Sequence, residues 1–171
     1  MIGYGDEDNN FVAELTYNYG VRTYEPGNMH IATLIKSSSL SPGTMKSPCG
    51  YRFDIMKAES GTSGQPTSGV RLASSDLQRT ENFWTQLAKL NLLEKTESKL
   101  AFNYPSNNDG IWLEFEKVEN INPGGNYGRT AISWPTDKLD EVESTVVSFG
   151  TYNYSRHPIL DNLKLGLNIN F

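Results

Sequence analysis

Few side chains in this sequence are placed for chemistry. Glu14 is a lone carboxylate in the middle of NNFVAELTYNYGV, residues 9–21. That run alternates like a β-strand: Phe11, Ala13, Leu15, Tyr17 and Tyr19 share one face, and Val12, Glu14, Thr16 and Asn18 share the other. The Glu14 face is either solvated or lines a site, since open antiparallel sheets normally show polar residues on one side. His30 begins a strand-like run after a Gly27-Asn28 turn, where a histidine commonly reads as an exposed turn neighbour. Asp54 lies within the strand-like run Tyr51–Met56. Cys49 is the only cysteine, which excludes an internal disulfide and a cysteine-based zinc site. His157 precedes Pro158 and reads as a loop residue.

Several elements must position these residues. Strands are expected at Met1–Gly5, Phe11–Tyr19, Met29–Lys36, Tyr51–Met56, Gly69–Ala73, Leu100–Tyr104, Ile111–Val118 and Arg129–Trp134, with an apolar alternating tail over Leu163–Phe171. Ser75-Asp76-Leu77-Gln78 has the capping-box pattern of a helix start. Leu77, Phe83, Trp84, Leu87 and Leu90 then give that helix an apolar stripe. A weaker helix is expected over Thr136–Ser148. SSSLSPGTMKSPCG (37–50) reads as loop and AESGTSGQPTSG (58–69) as linker.

The 171 residues suffice for one ordinary core or two very small ones. A net charge of -5 gives no electrostatic case for nucleic acid or an anionic membrane. No apolar run is long enough to span a bilayer, and MIGYGDEDNN has no secretory pattern, so an intracellular protein is expected, cytoplasmic or mitochondrial. An internal repeat is visible. IGYGDEDNNFVAE (2–14) falls without a gap on FNYPSNNDGIWLE (102–114), bringing Tyr4 onto Tyr104 and Glu14 onto Glu114. Gly27-Asn28 then matches Gly125-Asn126, and the strand from His30 matches the one from Arg129.

GYGDEDNNFVAELTYNYGV (3–21) resembles the segment that carries a metal-binding glutamate in glyoxalase I, a member of the vicinal oxygen chelate superfamily. GNMHIATLI (27–35) resembles the strand that follows and carries a metal-binding histidine, and CGYRFDIM (49–56) resembles the closing strand with its last carboxylate. LASSDLQRTENFWTQLAKLNLLEK (72–95) resembles the superfamily's opening strand and helix. The resemblance implies an α+β fold of tandem paired βαβββ modules. An incomplete first glyoxalase-like domain would span 1–57, a linker 58–68, and a second such domain 69–171. The first module lacks its opening strand and helix, the second has only about 14 loop-like residues between its outer strands, and the last lacks its closing strand. The expectation is a shortened form of a longer protein.

Carried over by this resemblance, Glu14, His30 and Asp54 are metal ligands, Asp54 is also the catalytic proton-transfer base, and Asn18 contacts glutathione. The implied cofactor is a divalent zinc or nickel ion, with glutathione as co-substrate. The implied reaction is isomerisation of the methylglyoxal–glutathione hemithioacetal, with the ion stabilising the enediolate and a carboxylate moving a proton. In the second copy Glu114 keeps the glutamate, but Arg129 stands at the histidine position and Gly69 at the first histidine position, so no metal is expected there. Two functions stay open: a glyoxalase-I-like lyase, weakened by missing ligands, and a non-catalytic domain of the same fold that binds a small ligand or a protein. Pairing with another chain, a second copy included, is the expected way to cover the open apolar face.

Overall fold

The computed structural model describes residues 2–3, 12–15, 17–58, 67–103, 112–125 and 139–149. Its centre is a seven-stranded mixed sheet in the order β4-β5-β3-β6-β9-β8-β7. The strands are β3 (His30–Ser37), β4 (Gly43–Lys46), β5 (Arg52–Lys57), β6 (Thr67–Ser74), β7 (Asn91–Lys95), β8 (Lys99–Asn103) and β9 (Trp112–Lys117). Two short strands, β1 (Ile2–Gly3) and β2 (Val12–Ala13), pair separately. The helices are α1 (Leu77–Asn82), continued by a wider π-helical turn over 83–87, and α2 (Leu139–Phe149).

The sheet has an internal two-fold order. β3 and β6 run antiparallel at its middle. Outside each lies a parallel partner, β5 beside β3 and β9 beside β6. Outside those lie antiparallel strands, β4 and β8. The registers place the axis at the Thr33–Val70 pair. Leu34 faces Gly69 and Asp54, while Arg71 faces Ala32 and Glu114, so the axis exchanges Leu34 with Arg71 and Asp54 with Glu114. Strands on both sides of the linker thus share one sheet, and β6 starts at Thr67, inside the segment expected to be linker.

One face of the β6-β9-β8 half carries the core. Val70, Leu100, Phe102, Leu113 and Phe115 alternate onto it and meet Phe83, Trp84 and Leu87 from the helical segment and Val146 from α2. Trp84 packs on Phe115, and Phe102 meets Phe115 edge-on. The helix begins where the sequence indicated, but its N-cap is Asp76, whose carboxylate accepts from the Arg79 backbone N–H at 3.0 Å. In the π turn the Ala88 N–H bonds to Phe83 O, five residues back, and this brings Phe83, Trp84 and Leu87 together on the core side.

Three elements differ from the sequence reading. Of the expected strand Phe11–Tyr19, Val12–Ala13 pairs with β1 among the described residues. β4 forms inside the expected loop, and β7 follows the helix where no strand was expected. Every residue of both is exposed, so neither has the buried face that would give a period-two signature. The expected strand Arg129–Trp134 and the tail Leu163–Phe171 lie outside the described residues.

Candidate functional site

The sheet face opposite the aromatic core gathers charge around the axis. Arg71 sits on β6, between Asp54 on β5 and Glu114 on β9. Its Nη1 donates to Asp54 Oδ2 at 3.0 Å, and its Nε donates to Glu114 Oε2 at 2.8 Å. To reach Asp54 the side chain must pass over β3. It does so above Ala32, its direct cross-strand neighbour, which is fully buried and offers only a methyl group. Asp54 Oδ1 accepts from Arg52 Nε at 2.7 Å and from Thr44 Oγ1 at 2.9 Å. Lys99 Nζ stands 4.0 Å from Glu114 Oε1, so charges alternate along Arg52, Asp54, Arg71, Glu114 and Lys99. Asp54 and Glu114 are both buried, at 8% and 6% exposure, a degree of burial that carboxylates tolerate only when paired.

The electrostatics follow from that pairing. Burial pushes the Asp54 carboxyl up. The hydrogen bonds from Arg52 and Thr44 and the charges of Arg52 and Arg71 outweigh it and hold the carboxyl below the usual carboxylate range. Burial alone would lower the Arg71 guanidinium, but its bond to Glu114 and the charges of Glu114, Asp54 and Glu116 raise it. Arg71 and Asp54 are therefore each held in the charged form.

The residues singled out from sequence are not brought together. Glu14 is exposed, just past β2. His30 lies on β3, but a bulge between His30 and Ala32 pairs it with Leu72, so its ring projects on the core side of the sheet, opposite to Asp54. There His30 Nε2 lies 3.2 Å from Thr33 Oγ1 and the ring meets Tyr51 edge-on. Its Nδ1 is buried without a hydrogen-bond partner among the described residues, and burial lowers its pKa against a smaller upward pull from its own backbone. Asn18 donates to the Tyr24 hydroxyl at 3.3 Å. Among the described residues no three His, Cys, Asp or Glu side chains are grouped to hold a metal ion, so the three implied ligands do not fit one ion in this arrangement. Glu114, expected only as a relic of the second copy, is half of the Arg71 bridge. Arg129 lies outside the described residues. Arg71, Arg52 and Thr44 were missed. The available signal was an arginine inside the apolar run GVRLA, which needs a counter-ion if that strand is buried.

This fold, two half-sheets joined about an axis with helices on one face, is the glyoxalase fold. The chain superposes on the crystal structure of glyoxalase I from Zea mays with a TM-score of 0.71 and 22% identity, covering 95% of this chain and 71% of that one. The chain is a glyoxalase-domain protein. Residues 76–160 match the glyoxalase domain-containing protein 4-like C-terminal domain. The chain is 31% identical over 160 residues to glyoxalase domain-containing protein 4 of Rattus norvegicus, covering 84% of this chain and 53% of the relative. It is also 31% identical over 164 residues to glyoxalase 1 of Caenorhabditis elegans, covering 86% and 56%. The chain spans about half the length of these curated relatives. No helix among the described residues is long and apolar enough to cross a membrane.

Proposed function

We propose that this chain is a glyoxalase-fold binding module for a small molecule or protein partner, without the isomerase step that the name of its relative lactoylglutathione lyase GLX1 of Arabidopsis thaliana implies. The observation that carries the reading is the state of Asp54. Both carboxylate oxygens are engaged, by Arg52 and Thr44 on one side and Arg71 on the other. A general base must be free to reach a carbon-bound proton and basic enough to hold it. Asp54 is neither, because its donors stabilise the ionised form.

A rival reading keeps Glu14, His30 and Asp54 as zinc or nickel ligands, Asp54 as base and Asn18 as glutathione contact. The observation in its favour is the buried, unpartnered His30 Nδ1, whose lowered pKa keeps the ring neutral, the form that ligates metals. Turnover of the methylglyoxal–glutathione hemithioacetal separates the two. After chelation and addition of nickel or zinc, the binding-module reading expects only the spontaneous rate. Metal-dependent turnover that disappears in Glu14→Gln and in Asp54→Asn refutes it and establishes the rival.

A further inference from the structure

We propose that Arg71 is the resident cation of the sheet's two-fold axis, and that its guanidinium occupies the space a divalent ion would need between Asp54 and Glu114. The inference rests on the binding-module reading only in holding that the Asp54 carboxylate is occupied, its Oδ2 by Arg71 and its Oδ1 by Arg52 and Thr44. Three carboxylates surround the guanidinium: Asp54 at 3.0 Å, Glu114 at 2.8 Å and Glu116 at 3.9 Å. The first two are exchanged by the axis, stand on the closing strand of each half, and are nearly buried. Arg52 at 2.7 Å from Asp54 and Lys99 at 4.0 Å from Glu114 compensate the two buried anions from outside, and Arg71 is the cation between them. The chain supplies that cation from its own β6 strand, at the position where the other half carries Leu34. The asymmetry is chemical: the axis relates an apolar side chain to a cationic one, so one side chain serves both carboxylates.

It follows that the axial site refuses a metal as long as Arg71 is present, and accepts one when it is removed. Carboxylate oxygens suit a hard divalent cation such as Mn²⁺, with water completing the coordination. The test uses the full chain, the Arg71→Met, Arg71→Lys and Asp54→Asn variants, and the Arg71→Met/Asp54→Asn double variant. Mn²⁺ binding is read by the electron paramagnetic resonance of free ion and by calorimetry, and folding by circular dichroism with chelator and with Mn²⁺. The expected result is binding at least about tenfold tighter in Arg71→Met than in the parent. Binding should return to the parent level in the double variant and in Arg71→Lys, which keeps the positive charge. If Arg71→Met unfolds in chelator, Mn²⁺ should restore its fold.

Three results would overturn the proposal: a folded Arg71→Met chain that binds Mn²⁺ no better than the parent, a variant that stays unfolded with and without the ion, or a parent chain whose Mn²⁺ binding is lost in Asp54→Asn. None of these reads hemithioacetal turnover, so the outcome is separate from that of the binding-module test.

Discussion

Replacing Gly27 by alanine tests whether the two halves are clasped as well as bridged. The turn Glu25-Pro26-Gly27-Asn28 packs against Asn122-Pro123-Gly124-Gly125, and the contact is reciprocal. Asn28 N–H donates to Asn122 O at 2.8 Å, and Gly125 N–H donates to Glu25 O at 2.8 Å. The Asn28 side chain adds bonds to Asn120 O and from Asn122 N–H. Gly27 and Gly124 both sit at φ +64. A Cβ on Gly27 would lie 2.6 Å from Gly124 N and closer still to Asn122 O, where real Cβ atoms stay beyond 3.0 Å. The left-handed conformation costs alanine about 1 kcal/mol. Relieving the clash parts the turns by about 1 Å and removes both backbone bonds, at about 1 kcal/mol each. The expected loss is therefore roughly 3 kcal/mol, or about 6–12 °C in Tm for a chain of this length. Gly20→Ala is the control: its φ is +82 but nothing lies within 4 Å of the added carbon, so only the conformational cost of about 1 kcal/mol applies. Urea and thermal unfolding of the two variants measure the difference. Equal losses would refute the clasp. If the reasoning holds, Gly27→Ala with Gly124→Ala together costs less than the sum, because the first substitution has already separated the turns.

Further expectations follow from the site. His30 has a folded-state pKa below its ordinary value of 6.5, so the unfolded chain binds the proton more readily. Stability is then complete above pH 6.5 and falls as pH drops through that window, and His30→Gln should flatten this part of the profile when urea unfolding is compared at pH 7.5 and 5.0. Ala32→Leu puts a branched side chain where the Arg71 guanidinium crosses to Asp54. It should cost about 1–3 kcal/mol from overpacking. It should also raise the Asp54 carboxyl, followed by carbon-detected NMR titration, by the part that the Arg71 charge adds to the bonds from Arg52 and Thr44 and the charge of Arg52. An unmoved titration would mean that Arg71 contributes nothing to lowering it.

Much of the fold was written locally. The strand-like runs Met29–Lys36 and Tyr51–Met56 marked β3 and β5, and the apolar stripe of Leu77, Phe83, Trp84 and Leu87 marked the helical segment and its buried side. The Asp-Leu-Gln start placed the cap within one residue. The match of Gly27-Asn28 with Gly125-Asn126 marked two turns but not that the segments touch each other. β4 and β7 escaped notice because an exposed edge strand is stabilised by backbone pairing alone and leaves no hydrophobic pattern.

The candidate site was legible only in pieces. Asp54 and Glu114 were each singled out, but as members of two separate sets. What joins them is Arg71, 17 residues from one and 43 from the other. Sequence by itself determined the glyoxalase resemblance, the α+β class and the residue types available for chemistry, because these depend on local periodicity and on motifs read along the chain. Only the tertiary structure decided which charges meet and which face His30 takes. Both depend on register between strands distant in sequence, and a single bulged residue at β3 is enough to turn a side chain to the other side of the sheet.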